Sequence, residues 1–231
     1  MIDQRTVLGI IPARGGSKRI PRKNLQVVFG RPLIAWTVEE ARKSEYIDRL
    51  ILSSEDPEII MIARELGCEV PFVRPDELAR DETAGTEPIL HALEQLAYYE
   101  YVVDLQPTSP LRIIDDIDGC IRKCHEMHSP ACVSLTKCRE NPRLIFRMLP
   151  DKKLIPLLPD AWSHMPSEQF PEFYKLNGAV YVASTRWLQT SRSFISEGTV
   201  GYEMPQERSL DIDTEDDLKQ FIAHLMKREG K

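Results

Sequence analysis

Residues 10–24 read Ile-Ile-Pro-Ala-Arg-Gly-Gly-Ser-Lys-Arg-Ile-Pro-Arg-Lys-Asn. An apolar, β-branched run over residues 6–11 leads into them, and a helical pattern begins near Pro32. A buried strand therefore empties into a loop with two glycines, a serine, an asparagine and five cations. Adjacent Gly15 and Gly16 let the backbone approach a ligand and turn successive N–H groups toward it, as in an anion-binding nest. Arg14, Lys18, Arg19, Arg22 and Lys23 add full positive charge. In a chain of net charge -6 this is a local inversion of sign, which a plain solvated turn does not require. Such a loop suits a polyphosphate. It is not G-x-x-x-x-G-K-[ST], because Ser17 precedes Lys18 and the glycines are adjacent, and G-x-G-x-x-G is missing as well.

The 231 residues suit one large α/β domain, residues 1–231, with a small appendage. A hydrophobic share of 42% and a charged share of 29% are those of a globular protein able to bury a core. No apolar run approaches the roughly 18 residues that span a bilayer. Residues 1–5 carry charges and pass straight into a strand, so a secretory signal is not expected and the expected compartment is cytoplasmic. Five widely spread cysteines are expected to be reduced thiols. Cys120, Cys124, His125, His128 and Cys132 crowd together without a C-x₂-C pair. Cys120 and Cys124 stand at i, i+4 on an expected helix, where a core face explains them better than zinc does. The acidic balance, with basic residues gathered in one loop, argues against a general nucleic-acid binder.

Along the chain, strands are expected over 7–11, 49–53, 69–73, 101–105, 131–136 and 179–183, and helices over 33–43, 57–66, 88–98, 114–126 and 214–227. Their alternation predicts an α/β fold with a mostly parallel sheet wrapped by helices. Gly67 sits where a left-handed C-cap closes the second helix, and Thr214 with Asp217 makes a capping-box variant at the last. Residues 137–175 break this rhythm. They hold Pro142, Pro150, Pro156, Pro159, Pro166 and Pro171, with Phe146, Trp162, Phe170, Phe173 and Tyr174 among them. A stretch of that length without a βα unit reads as an inserted lid or subunit-packing segment.

Ligands bind outside the carboxyl ends of the strands in such sheets. The first strand delivers the basic loop. The third delivers Arg74 to Leu78 and then Asp81 to Thr86. The fourth delivers Gln106-Pro107-Thr108-Ser109-Pro110-Leu111-Arg112, whose prolines hold Gln106 and Arg112 in place. Asp211 and Asp213 flank Ile212 on an extended segment, so both carboxylates point one way. A hard cation such as Mg2+, bound by one or two carboxylates and by substrate phosphates, fits between them. The simpler alternative has Asp213 capping the last helix and Asp211 in solvent.

The stretches from Ile11 to Asn24, Leu105 to Arg112, Asn177 to Tyr181 and Asp211 to Glu215 resemble, in order and over essentially the whole chain, the acylneuraminate cytidylyltransferases. The resemblance implies a Rossmann-like sheet of the nucleotide-diphosphosugar transferase kind, with residues 137–175 as a dimerisation segment of a homodimer. It implies transfer of CMP from CTP to a nonulosonic acid with release of pyrophosphate. It assigns Arg14, Ser17 and Lys23 to the CTP phosphates, in a loop that also holds Gly15, Gly16 and Lys18, and Asn24 to the nucleotide. Arg74, Ala84, Gly85 and Thr86 fall to the cytosine. Gln106 falls to the sugar, with Arg112, Lys175 and Asn177 on the same side, and Asp211 and Asp213 to Mg2+. Gly85 stands where a relative carries serine. Lys175 replaces a frequent arginine, and the two cations differ in how they recognise carboxylates. Arg14 and Lys23 are expected to neutralise charge in the transition state, and Asp211 to assist deprotonation of the sugar hydroxyl. Pseudaminic or legionaminic acid is the alternative acceptor, and a non-catalytic nucleotide sensor is the alternative class.

Overall fold

The structure, a computed structural model, describes residues 1–159 and 171–228. In chain order the elements are β1 (Val7–Pro12), β2 (Val27–Val28), β3 (Arg31–Pro32), α1 (Leu33–Ala41), β4 (Arg49–Ser53), α2 (Pro57–Glu65), α3 (Glu87–Gln95) and β5 (Tyr101–Asp104). There follow α4 (Ile114–Glu126), β6 (Ala131–Lys137), β7 (Phe146–Met148), β8 (Leu154–Pro156), β9 (Tyr174–Ser184), α5 (Thr185–Ser191), β10 (Val200–Glu203) and α6 (Glu215–Arg228). Six strands form the main sheet in the order β10-β6-β9-β5-β1-β4. β1 is parallel to both β4 and β5, and β10 is parallel to β6. β9 alone among these runs antiparallel, wedged between β5 and β6. The mostly parallel, Rossmann-like α/β class is what the sequence predicts.

Alternation along β1 builds both layers at once, because successive side chains leave a strand on opposite faces. Val7 and Ile11 join Val103, Leu105, Ile34, Val38, Ile59 and Ile117 beneath α1, α2 and α4. Leu8 and Ile10 join Val102, Ile89, Leu93 and Leu188 beneath α3 and α5. Cys120 and Cys124 are buried in the first layer, as their spacing predicts. A third cluster positions the site. Ile20 of the basic loop packs with Val28, Leu33, Leu111, Ile212, Phe221 and Leu225, and Trp36 meets Phe221 edge-on with ring centroids 5.3 Å apart. One apolar knot thus fastens the glycine loop, the loop after β5 and α6 to each other.

Several expectations need correction. Residues 69–73 are not a strand of the sheet; only a parallel bridge between Ile51 and Glu69 forms. Pro71 has no N–H to extend the ladder, and the chain instead leaves along Ser54, whose carbonyl accepts from the Arg74 amide. α1 stops at Ala41 and α3 at Gln95, short of the expected ends. The strand expected over 179–183 is the inner part of an eleven-residue β9. β10 and α5 are additional. Within 137–175, β7 and β8 pair as an antiparallel hairpin with Leu144, Ile145, Met148, Leu154, Ile155 and Leu157 exposed. Pro166, Trp162 and Phe170 lie outside the described residues.

Arg112 is also placed otherwise than expected. It is 1% exposed, donating to the Ala179 carbonyl at 2.6 Å and to the Thr37 hydroxyl. Burial pushes its pKa down to about 10, while Asp104, Asp116 and Glu40 hold it up. It is a buried clasp between α1 and β9, with no face left for a sugar. Arg112→Met should lower stability by about 3–5 kcal/mol, because it takes the counter-charge from buried Asp104 and the donor from the Ala179 carbonyl. The urea midpoint reads this, and an unchanged midpoint would show that the clasp contributes little.

Candidate active site

The glycine loop is shaped by what lies beneath it. A Cβ on Gly15 would stand 2.2 Å from Asp56 Oδ2, so only glycine permits that approach. At Gly16 a Cβ would meet nothing within 4 Å, so that backbone faces open space. Ser17 is half-buried at the crest. Arg22 takes a left-handed φ of 55° and turns the chain into a 3-10 turn at Lys23–Leu25. There Asn24 is 7% exposed and donates from Nδ2 to the Arg14 carbonyl at 3.0 Å. Asn24 thus holds the loop from inside rather than facing a ligand.

Every loop cation meets an acid. Arg14 Nη2 lies 2.8 Å from Asp81 Oδ1, and Lys18 pairs with the other oxygen of the same carboxylate. The Lys18 ammonium, and Arg14 after it, hold the Asp81 pKa below its ordinary value. Arg22 pairs with Asp56 and Glu58, and Asp56 also caps α2 by accepting from the Glu58 and Ile59 amides at 3.0 Å. Arg19 lies 3.2 Å from Asp213 Oδ2. Lys23 Nζ donates to the Ile212 carbonyl at 2.7 Å and to Asp213 Oδ1 at 3.0 Å. The Gly15 amide donates to Glu55 Oε1 at 2.7 Å, and Glu55 Oε2 accepts from Arg74 at 2.6 Å. Protein carboxylates thus occupy positions where an incoming anion could bind.

The acid pair is close by. Ile212 is fully buried, and its amide donates to the Thr108 carbonyl at 2.8 Å, which fastens the segment to the loop after β5. Asp213 is exposed to the loop cations. Asp211 is largely buried, and its pKa is raised by that burial and by Asp213, against Thr108 and Lys23. Its Oδ1 is buried without a partner. A bound ligand could supply the partner that oxygen lacks. Among the described residues no group of three or more histidines, cysteines or acids stands together as a metal site, so a cation held here needs ligand oxygens as well.

A cleft of about 920 Å³ opens beside Asp211, walled by Lys175, Leu176, Asn177, Thr136 and Arg139, with α6 opposite. Lys175 is exposed at its mouth. Asn177 is 4% exposed; it accepts from the Ser134 hydroxyl at 2.6 Å and donates to the Ser209 hydroxyl at 2.9 Å. It therefore knits β6, β9 and the approach to Asp211 together, with its polar atoms already used. Gly178 has φ 73°, and a Cβ there would lie 3.4 Å from Gln106 Oε1 and 3.5 Å from Asp211 Oδ2. Gln106 and Asp211 accordingly converge at this glycine.

Of the sequence-predicted residues, the structure joins Lys23 to Asp213, sets Arg14 and Lys18 of the same loop against Asp81, and brings Gln106 and Asp211 together at Gly178. Arg74 is buried against the loop, donating to the Ala13 carbonyl. Ala84 and Gly85 are exposed, and Thr86 starts α3. Arg112, Asn177 and Asn24 are held inside the protein. Sequence reasoning missed Glu55 and Asp56, which leave the carboxyl end of β4, a strand end it passed over. It also missed Asp104, a lone acid closing the apolar strand β5, whose pKa burial raises to about 7.

Residues 8–154 match the family described as cytidylyltransferase. An N-acylneuraminate cytidylyltransferase of Escherichia coli O18:K1:H7 is 31% identical over 222 residues, 96% of this chain and 52% of that relative. The chain thus spans about half the length of that protein. A pseudaminic acid cytidylyltransferase of Campylobacter jejuni is 33% identical over 217 residues, 92% of this chain and 93% of the relative. A solved structure of a CMP:2-keto-3-deoxy-manno-octonic acid synthetase complexed with CTP superposes with a TM-score of 0.73 at 17% identity, covering 97% of this chain and 99% of that one. That likeness is one of fold.

Asp81 competes with any polyphosphate for Arg14 and Lys18. Asp81→Asn should bind inorganic tripolyphosphate about three- to fivefold more tightly, the scale of an exposed ion pair. Calorimetric titration measures it, and equal affinity would show that Asp81 does not compete.

Proposed function

Because the chain belongs to the cytidylyltransferase family, we propose that it transfers CMP from CTP to the anomeric hydroxyl of a nonulosonic, sialic-type acid and releases pyrophosphate. N-Acylneuraminate is the acceptor we favour. The observation that carries the reading is the meeting of Lys23 and Arg19 with Asp213, two residues along the chain from Asp211, which lines the cleft. Pseudaminic acid is the second reading, supported by the near full-length match to the Campylobacter jejuni relative; legionaminic acid belongs with it as the same chemistry.

The reaction asks little covalent work of the protein, so positioning and charge neutralisation carry the rate. Arg14, Lys18 and Lys23 exchange their carboxylate partners for the triphosphate, while Ser17 and the amide of Gly16 approach it from the nest. Arg74, Ala84, Gly85 and Thr86 border the cytosine. The sugar lies in the cleft, with Lys175 toward its carboxylate and Gln106 toward its polar edge. Its anomeric oxygen attacks the α-phosphorus as the bond to pyrophosphate breaks. Positive charge from Arg14 and Lys23 is worth most at that point, because negative charge grows on the leaving group. Asp211 takes up the hydroxyl proton in this reading, and burial makes that carboxylate a better acceptor than an exposed one.

Asp211 and Asp213 fit a hard cation completed by phosphate oxygens, since the buried oxygen of Asp211 lacks any partner. Mg2+ held there would offset phosphate charge and lower the pKa of the attacking hydroxyl. The exposed row of Leu144, Met148, Leu154 and Leu157 on the β7–β8 hairpin is covered, in this reading, by a second copy in a homodimer, since apolar patches of that kind mark interfaces.

Pyrophosphate release from CTP and Mg2+, with N-acetylneuraminate, pseudaminic acid and legionaminic acid offered separately, tests the proposal. Turnover with at least one is expected; none with any would favour a nucleotide sensor. Asp211→Asn should lower kcat at least about a hundredfold, the low end for a positioned acid–base group, with a smaller change in CTP affinity. Turnover like that of the unaltered protein would remove Asp211 from the chemistry.

A further inference from the structure

Asp104 is an unusual residue to find where it is. It closes β5 on the face shared with Val102, 4% exposed, and its register partner on β9 is Tyr181. Its Oδ1 is buried without a partner. A buried charge is costly unless it is paired, and the Arg112 guanidinium supplies part of that compensation. Two positions on, and on the same side of the extended chain, stands Gln106, whose side chain favours the charged form of the Asp104 carboxylate. The other end of that side chain, Oε1, points toward Gly178, close to Asp211 Oδ2.

A carboxamide has one donating and one accepting end, and only its surroundings choose which faces outward. An ionised carboxylate only accepts. Once ionised, Asp104 therefore draws Nε2 of Gln106 toward itself and leaves Oε1 toward Gly178 and Asp211. We propose that Asp104 is a positioning residue that fixes the amide of Gln106, so that Oε1 and the Asp211 carboxylate together accept hydrogen bonds from a hydroxyl or N–H on the sugar acid. This rests on the acceptor assignment above and deepens it. The selection is for a substrate edge that donates, and an analogue lacking that donor leaves two buried acceptors unpaired. Asp104 itself touches no substrate.

Exchanging the polarity of the pair tests this. In Asp104→Asn the new amide can donate to Gln106 as readily as accept from it, so the outward group is no longer chosen. The KM for N-acetylneuraminate should rise about tenfold, the scale of one lost hydrogen bond, with the CTP KM unchanged within about twofold. Gln106→Glu alone sets two carboxylates against each other and should be at least as impaired. Combining D104N with Q106E restores one donor inside and one acceptor outside, and should bring the sugar KM back to within about threefold of the starting protein. A general packing role for Asp104 predicts no such rescue. An unmoved sugar KM in D104N, an equal rise in both KM values, or a double variant no better than D104N would overturn the proposal. Amide NMR of the unaltered protein above about pH 8 reads the same orientation without turnover or folded variants. Gln106 Nε2 protons slow to exchange and lost from their shifted position in D104N support it, whereas freely exchanging protons contradict it. If the unaltered protein turned over no sugar acid, the proposed function would fail, and the NMR result would still decide the orientation.

Discussion

The structure depends on one contact made across almost the whole chain. Lys23 donates to the Ile212 carbonyl at 2.7 Å and to Asp213 at 3.0 Å, residues 189 and 190 positions away. It is only partly exposed, and the carbonyl partner fixes its ammonium more tightly than a surface ion pair would. Ile20 and Ile212 make the same connection in apolar form, inside one cluster with Phe221 and Leu225. Buried side chains bring the two ends together, and charge sets their register. What results is a row of cations facing a pair of acids with a cleft at one side.

This arrangement has an evident electrostatic logic. A loop carrying five cations would repel itself if nothing countered it. Asp81, Asp56, Asp213 and Glu55 provide that counter-charge, each accepting from the loop. Most of these pairs are exposed, so each contributes little to stability. They keep the loop in the form a polyphosphate needs while remaining weak enough to be exchanged. Preorganisation of this kind lowers the cost of ordering the loop when a ligand arrives.

Much of this was legible in the residues, and what was not has physical reasons. Adjacent glycines among cations, and two aspartates one residue apart, are local patterns whose chemistry depends on short spacings. The strands β1, β4, β5 and β6 announce themselves as apolar runs, because strands buried on both faces are apolar throughout. The missed features are those that depend on neighbours distant in sequence. Nothing within residues 69–73 says that Pro71 will sit at a sheet edge, where the ladder then fails. Gln106-Pro107 to Leu111-Arg112 looks like one polar loop, yet Gln106 reaches toward Gly178 and Asp211 and Arg112 turns into the core to meet Ala179. Asn24 and Asn177 resemble ligand contacts and are instead internal braces, because an amide can satisfy backbone and side chains from inside. Asp104 offered one local clue, an ionisable residue at the carboxyl end of an apolar strand.

The central claim is that cations from the first loop and acids from near the last helix face each other across the phosphates of one nucleotide. A crystal structure of the protein with Mg2+ and a non-hydrolysable CTP analogue tests it most directly. The account predicts phosphate oxygens on Lys23 and Arg14, the Arg14–Asp81 pair broken, and Asp211 and Asp213 within one ligand shell of the triphosphate. A nucleotide bound elsewhere, with the Asp81 and Asp213 ion pairs intact, would contradict it.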